Sequence, residues 1–391
     1  MNPRMMWSLL THLAPALALK LVTTTPDLQE HLSESEEAHI ESSDEIADFD
    51  LDDLGEFLAP LDDTSAFHFS NHDEFDVCDS LQTGTYRKET HFYDAYKDVT
   101  DDKKFGESGF GQLSEVQDKQ DKSGRTWVSK RIVKDEDWKK TVCPEKFVLE
   151  KKLAFNCWVR DVFEDTGRTG AVTGAFRFVM PMYEGGDLFQ KVGKMNVAEV
   201  RAVGRQIALG LWALHRHGII HRDVKPENVV VRAGEHVALI DYGSAQVGQA
   251  AGCGHQIKTA ACSNQDVGTN GYLSPAADKG QPYSYETDWW SFGVTLKKLW
   301  QQSDGQSHLL LEDLLNLLTD ANKFAELAVV SHEKESAWES KDPSKHPVLR
   351  HRFWFEGPPH EADPQLYVKF WREVCEKHAE EPEEQCQELM G

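Results

Sequence analysis

The run His221-Arg222-Asp223-Val224-Lys225-Pro226-Glu227-Asn228 brings a carboxylate, an amine and a carboxamide within six residues, from Asp223 to Asn228. Along an extended loop Asp223 and Lys225, two apart, point the same way. The carboxylate can then accept a hydroxyl proton while the amine neutralises an anion. Thirteen residues beyond Asn228, after the strand-like Val237–Ile240, stands Asp241-Tyr242-Gly243. The oxygens of Asn228 and Asp241 are hard donors of the kind Mg²⁺ prefers. A set of this kind suits the transfer of a charged group onto a hydroxyl.

At these positions the chain resembles the eukaryotic protein kinases of the Ser/Thr type, whose catalytic loop reads H-R-D-x-K-P-x-N. Asp241-Tyr242-Gly243 resembles their D-F-G, with Tyr for Phe. Gly106-Glu107-Ser108-Gly109-Phe110-Gly111 is similar to the glycine loop G-x-G-x-x-G, with Ser108 at the middle glycine, and Trp127-Val128-Ser129-Lys130 is similar to V-A-I-K. Gly268-Thr269-Asn270-Gly271-Tyr272-Leu273-Ser274-Pro275-Ala276 resembles G-T-x-x-Y-x-A-P-E, and Asp288-Trp289-Trp290-Ser291-Phe292-Gly293 resembles D-x-W-S-x-G. The resemblance covers about residues 92–356. It implies an enzyme that passes the γ-phosphate of ATP, with Mg²⁺, to a Ser or Thr hydroxyl of a protein substrate. Asp223 would be the base, Lys225 the γ-phosphate ligand, and Asn228 and Asp241 the metal ligands.

The same resemblance assigns Lys130 to the α- and β-phosphates, held by a helix glutamate. Glu150 is the expected partner and Glu145 the runner-up. Gly106, Ser108, Gly109, Gly111 and Leu113 would cover the nucleotide. Met180 falls at the gatekeeper position, the Pro181 carbonyl and Tyr183 N–H would hold the adenine edge, and Asp187 would meet the ribose. Thr269 is expected to position the substrate. Arg222 would receive a phosphate on Thr259 or Ser263, and Cys253 and Cys262 could pair as a disulfide. The rival reading is a pseudokinase-type nucleotide-binding scaffold, against which Lys130, Asp223 and Asp241 stand together. Ala276 replaces the family's Glu and His346 its Arg, and losing both partners of a buried pair can be nearly neutral.

The elements expected to position these groups begin with strands at Gln112–Gln117, Thr126–Val133, Val159–Phe163 and Phe176–Met180. After Leu188 the pattern is mainly helical, as in Val200–His217 with Val203, Ile207, Leu211 and Leu214 on one face. A small strand-rich lobe (92–181) followed by a larger helical lobe (184–356) makes an α+β, bilobal fold: an antiparallel sheet plus helix C, then a helical body. Residues 357–391 are expected to carry one amphipathic helix, capped by Asp363, with Leu366, Phe370 and Val374 on its packed face.

The net charge of −24 sits in the flanks. Residues 1–91 hold 4 Lys/Arg against 20 Asp/Glu, residues 357–391 hold 3 against 9, and the middle holds 35 against 37. A near-neutral body lacks the basic footprint of a nucleic-acid binder. From Leu21 to Tyr86 there is no Lys or Arg. Self-repulsion predicts disorder over 19–91, an acidic arm suited to docking a basic partner. Ile46, Phe49, Leu51, Leu54, Phe57 and Leu58 in that arm are spaced for a short docking helix. Met5 to Ala18, ending Ala16-Leu17-Ala18, reads as a signal peptide too short to span a membrane, so the secretory pathway is expected, with the cytoplasm as alternative. Seven Cys, an odd count, imply no complete disulfide framework.

Overall fold

The computed structural model describes residues 91–99, 106–108, 111–133, 138–165, 174–232, 236–247, 267–281, 283–301, 308–321, 342–355 and 364–390. The chain divides into two units, 1–69 and 70–391, and everything described lies in the second. The signal peptide, the acidic arm, Asp363, Thr259, Ser263, Cys253 and Cys262 lie outside the described residues.

A one-turn helix α1 (Phe92–Ala95) leads into β1 (Tyr96–Asp98). β1 and β2 (Gly106–Ser108) pair with opposite ends of β3 (Gly111–Asp118), which pairs with β4 (Thr126–Val133). After α2 (Trp138–Glu150) come β5 (Asp161–Asp165) and β6 (Ala175–Pro181), completing an antiparallel sheet of order β1-β3-β4-β6-β5. β5 begins two residues later than Val159, because the Val159 N–H turns away to the Leu149 carbonyl near the end of α2, and bonding to β6 starts only with the Arg160 N–H on the Val179 carbonyl. One face of the sheet buries Phe92, Tyr96, Val116, Trp127, Phe163 and Val179 in a small aromatic cluster. The other lobe shares the main core, which takes in α2.

The helical lobe is built on α3 (Val197–Arg216). It starts three residues earlier than its apolar pattern suggests because Asn196 caps it: Asn196 Oδ1 accepts from the Ala198 and Glu199 N–H groups while Glu199 reaches back to the Asn196 N–H. Short ribbons follow, β7 (Ile219–Ile220) with β10 (Gln246–Val247), and β8 (Val229–Arg232) with β9 (His236–Leu239). Then come α4 (Glu286–Leu299) and α5 (Leu309–Thr319). Gly204 and Gly293 admit Trp354 and Leu318 against the helix backbones, closer than a Cβ would allow at Gly293.

The tail differs from the single helix expected. It forms α6 (Pro364–His378) and α7 (Pro382–Met390), joined by a Cys375–Cys386 disulfide. The packed face of α6 is shifted but not lost: Phe370 and Val374 pack on the main core, partly buried. Trp371 and Cys375 are fully buried, whereas Leu366 is 45% exposed. The reason is tertiary: the Trp371 indole N–H reaches the Leu349 carbonyl, and the ring packs on Trp354. α7 continues the same core through Cys386, Leu389 and Met390. No described helix is long and apolar enough to cross a membrane.

Candidate active site

The strand β4 carries Lys130 with its side chain 3% exposed. Its Nζ bonds both Glu145 oxygens, at 2.6 and 2.9 Å, and Asp241 Oδ1 at 2.8 Å. Glu150, the expected partner, is exposed and pairs instead with Lys146 one turn back, at 2.8 Å. The helix period explains the correction. Val142, Glu145, Val148 and Leu149 fall at i, i+3, i+6 and i+7 and are all buried, which puts Glu150 beyond the edge of that face. Burial by itself would lower the Lys130 pKa, but the Glu145 and Asp241 carboxylates outweigh it and hold the ammonium above the ordinary lysine range.

On the catalytic loop, Asp223 is the hub. Lys225 Nζ donates to Asp223 Oδ2 at 2.7 Å and to Thr269 Oγ1 at 2.6 Å. Thr269 Oγ1 donates in turn to Asp223 Oδ1 at 2.6 Å. Asn228 Nδ2 bonds the Asp223 carbonyl and Oδ2, at 2.8 and 2.9 Å, which turns its amide N–H side inward and leaves the amide oxygen out of those bonds. Thr269 comes this close because Gly268, at φ +131°, lets the chain pass where a Cβ would lie 2.5 Å from the Arg222 carbonyl.

Two residues of the site sit in the left-handed region, Arg222 at φ 65° and Asp241 at φ 66°. Such conformations persist only where the surroundings over-determine them. For the catalytic loop the brace is Asp288, on α4 and fully buried. Its oxygens accept the His221 and Arg222 backbone N–H groups, each at 2.8 Å, and His215 Nε2 lies 2.8 Å away. Burial pushes the Asp288 carboxyl up, but His215, His221 and the backbone N–H hold it below its ordinary value, so it stays ionised. Neither Asp288 nor His215 was assigned a role from sequence; the D-x-W-S-x-G match was the available signal.

Tyr242 is buried, and its hydroxyl lies 2.7 Å from the Leu239 carbonyl and 3.0 Å from Asn156 Oδ1. The hydroxyl added to the D-F-G ring therefore has partners, and burial lifts its pKa well above the usual phenol range. Arg222 does not stand idle: its Nε donates to the Ser244 carbonyl at 2.6 Å and Nη1 to Gln246 Oε1 at 3.1 Å.

The remaining cradle residues are placed as follows. Gly106 and Ser108 in β2 pair with Leu113 and Gly111 in β3, while Gly109 lies outside the described residues. Gly111 approaches the Arg131 carbonyl within 2.6 Å of where a Cβ would be. Leu113 also registers with Lys130. Met180 and Pro181 end β6, with Pro181 opposite Trp127. The Tyr183 ring is partly buried and its hydroxyl is enclosed beside the Cys157 thiol, whose pKa burial pushes up to about 12. Asp187 has a buried Oδ1 with no hydrogen-bond partner among the described residues. His346, at the position of the missing Arg, is buried on Trp289 at 4.7 Å between rings, and desolvation keeps it neutral.

Comparison with known proteins agrees with this geometry. The protein kinase domain family matches residues 99–344. A relative from Drosophila melanogaster, described as a protein kinase C delta type homolog, is 37% identical over 125 residues, which are 31% of this chain and 17% of that one. A serine/threonine-protein kinase from Caenorhabditis elegans is 37% identical over 114 residues, 28% of this chain and 24% of its own. The chain thus spans about a quarter or less of the length of these relatives. With more than half of its length matched and the fold in two lobes, the chain belongs to the protein kinase family.

Proposed function

We propose that the chain transfers the γ-phosphate of ATP to a Ser or Thr hydroxyl of a protein. The observation that carries this reading is the closed network of Asp223, Lys225, Thr269 and Asn228, set beside Lys130, Glu145 and Asp241. The donor set fits a nucleotide and Mg²⁺. Asn228 keeps its amide oxygen outside its bonds to Asp223, Asp241 adds carboxylate oxygen, and Asp187 holds a buried oxygen suited to a ribose hydroxyl. When bound, the metal would neutralise phosphate charge and the nucleotide would supply the phosphoryl group.

In this reading Asp223 accepts the proton of the acceptor hydroxyl and aims its oxygen. Lys225, shared between Asp223 and Thr269, presents positive charge on the same side. Lys130 is fixed by Glu145 and ready to bind an anion. The joint presence of Lys130, Asp223 and Asp241 in one constellation supports an enzyme over a scaffold. The Lys at 225 supports Ser/Thr acceptors, as does the name of the C. elegans relative. The Cys375–Cys386 disulfide supports maturation in an oxidising compartment.

The test is a radiolabelled-phosphate assay of the full chain with ATP, Mg²⁺ and a Ser/Thr peptide library. Asp223→Asn and Asp241→Asn are each expected to lose at least about 10²-fold in kcat. Variants as active as wild type, or no labelled peptide at all, would overturn the reading.

A further inference from the structure

Resting on the kinase reading above, we propose that Lys298 selects acceptor segments carrying an acidic side chain within a few residues of the target hydroxyl. The argument begins at Thr269. Its bond to Asp223, together with the Tyr272 N–H to Thr269 carbonyl bond at 3.0 Å, fixes the 269–272 turn beside the base. The Lys298 ammonium, in the last turn of α4, stands 3.7 Å over the Tyr272 ring. A hydroxyl offered to Asp223 must therefore carry its neighbours past Tyr272 and Lys298.

Lys298 is not alone. The Gly193 N–H bonds the Lys298 carbonyl at 2.8 Å and the Met195 N–H bonds the Leu299 carbonyl at 3.1 Å, so residues 193–195 lie along the end of α4. That places the Lys194 backbone beside that of Lys298, with the Lys194 ammonium donating to the Gln190 carbonyl at 2.8 Å and Lys191 and Lys297 on the same two segments. All four are exposed, and none makes an ion pair among the described residues. Of the carboxylates on the adjoining segments, three are engaged or enclosed. Asp223 is bonded to Lys225 and Thr269, Glu199 accepts the Asn196 N–H at 2.8 Å, and Glu227 is half-buried with its Oε2 enclosed. Burial lifts the Tyr272 phenol to about 12, with Glu227 and Asp223 adding to the effect, so the ring stays neutral beneath the exposed Lys298 ammonium. The near-neutral body gives no overall preference; the local arrangement does.

A single exposed ion pair is worth little, and the clustered lysines raise the expected preference to roughly fivefold to tenfold in kcat/KM. The experiment uses the full chain with Ser/Thr peptides carrying Asp, Ala or Lys at each position flanking the acceptor. Wild type should favour Asp over Lys at one or more positions, and Lys298→Glu should invert that order. Lys369→Glu, on the exposed face of α6, should leave it unchanged. An order that is flat within twofold, or unmoved by Lys298→Glu, overturns the proposal while leaving the kinase reading intact. Fluorescence anisotropy of the same peptides separates the two: acidic peptides held in a Lys298-dependent way without phosphate transfer to any peptide would overturn the kinase reading and keep the surface.

Discussion

The side chain of Lys130 is the sharpest case of a residue whose neighbours decide its chemistry. It is held by two carboxylates, and only one of them, Glu145, comes from α2. Glu145→Gln is expected to lower kcat/KM by about 10²-fold, since a misplaced phosphate ligand is costly, whereas Glu150→Gln should stay within about twofold. Parallel kinetics on the two variants check the assignment. A second residue makes a prediction about pH. Glu286 opens α4 fully buried, its Oε1 accepting the Ser284 N–H at 2.8 Å and its Oε2 without a partner among the described residues. Desolvation raises its pKa from the ordinary 4.5 to about 7. Between those values the folded state holds a proton that the unfolded state releases. The stability it contributes is therefore full below about pH 4.5 and is lost as pH rises toward 7, by about 3 kcal/mol. Glu286→Gln should stabilise the protein at pH 8 and not at pH 4, read from denaturant titrations at both.

At the scale of elements, the tail pair matters most. α6 and α7 reach both lobes: Glu380 in their linker accepts from the Trp158 indole at 2.5 Å and from Arg232 at 2.9 Å, and Gln385 donates to the Lys152 carbonyl at 2.9 Å. Trp158 packs edge-on against Trp127, which registers with Pro181 at the end of β6. The disulfide closes a loop of sequence separation 11, for which chain entropy gives about 3 kcal/mol. Cys375→Ser with Cys386→Ser should speed amide exchange in α7 selectively, with smaller change in α3. Equal protection in both forms would show that packing alone holds the tail.

For the whole molecule, the folded unit does not stop where the family match stops, at residue 344. Trp371, Cys375, Cys386, Leu389 and Met390 belong to the main core. Cutting after residue 356 strips that surface from Leu349, Trp354 and Trp158. Loss of Trp371 alone is worth about 3–5 kcal/mol. A 92–356 fragment should therefore melt far below a 92–391 fragment, or aggregate, in calorimetry. Equal melting temperatures would show that the tail is an appendage.

The sequence alone determined the chemistry-bearing residues and the order of the lobes. Asp223, Lys225, Asn228 and Asp241 lie at short, motif-bound spacings, and β4 was legible to the residue because apolar alternation and bounding turns are local signals. What only the tertiary structure decided were pairings between distant segments. Glu145 over Glu150 turned on which helix face meets Asp241, Asp288 found its role 66 residues from Arg222, whose N–H it braces, and Trp371 over Leu366 turned on where α6 lands. A periodic pattern states that a helix has a buried face, and burial is shared over so many contacts that the pattern tolerates a shift of one residue. A hydrogen bond or an ion pair does not tolerate it, and so the partners become visible only when the segments meet.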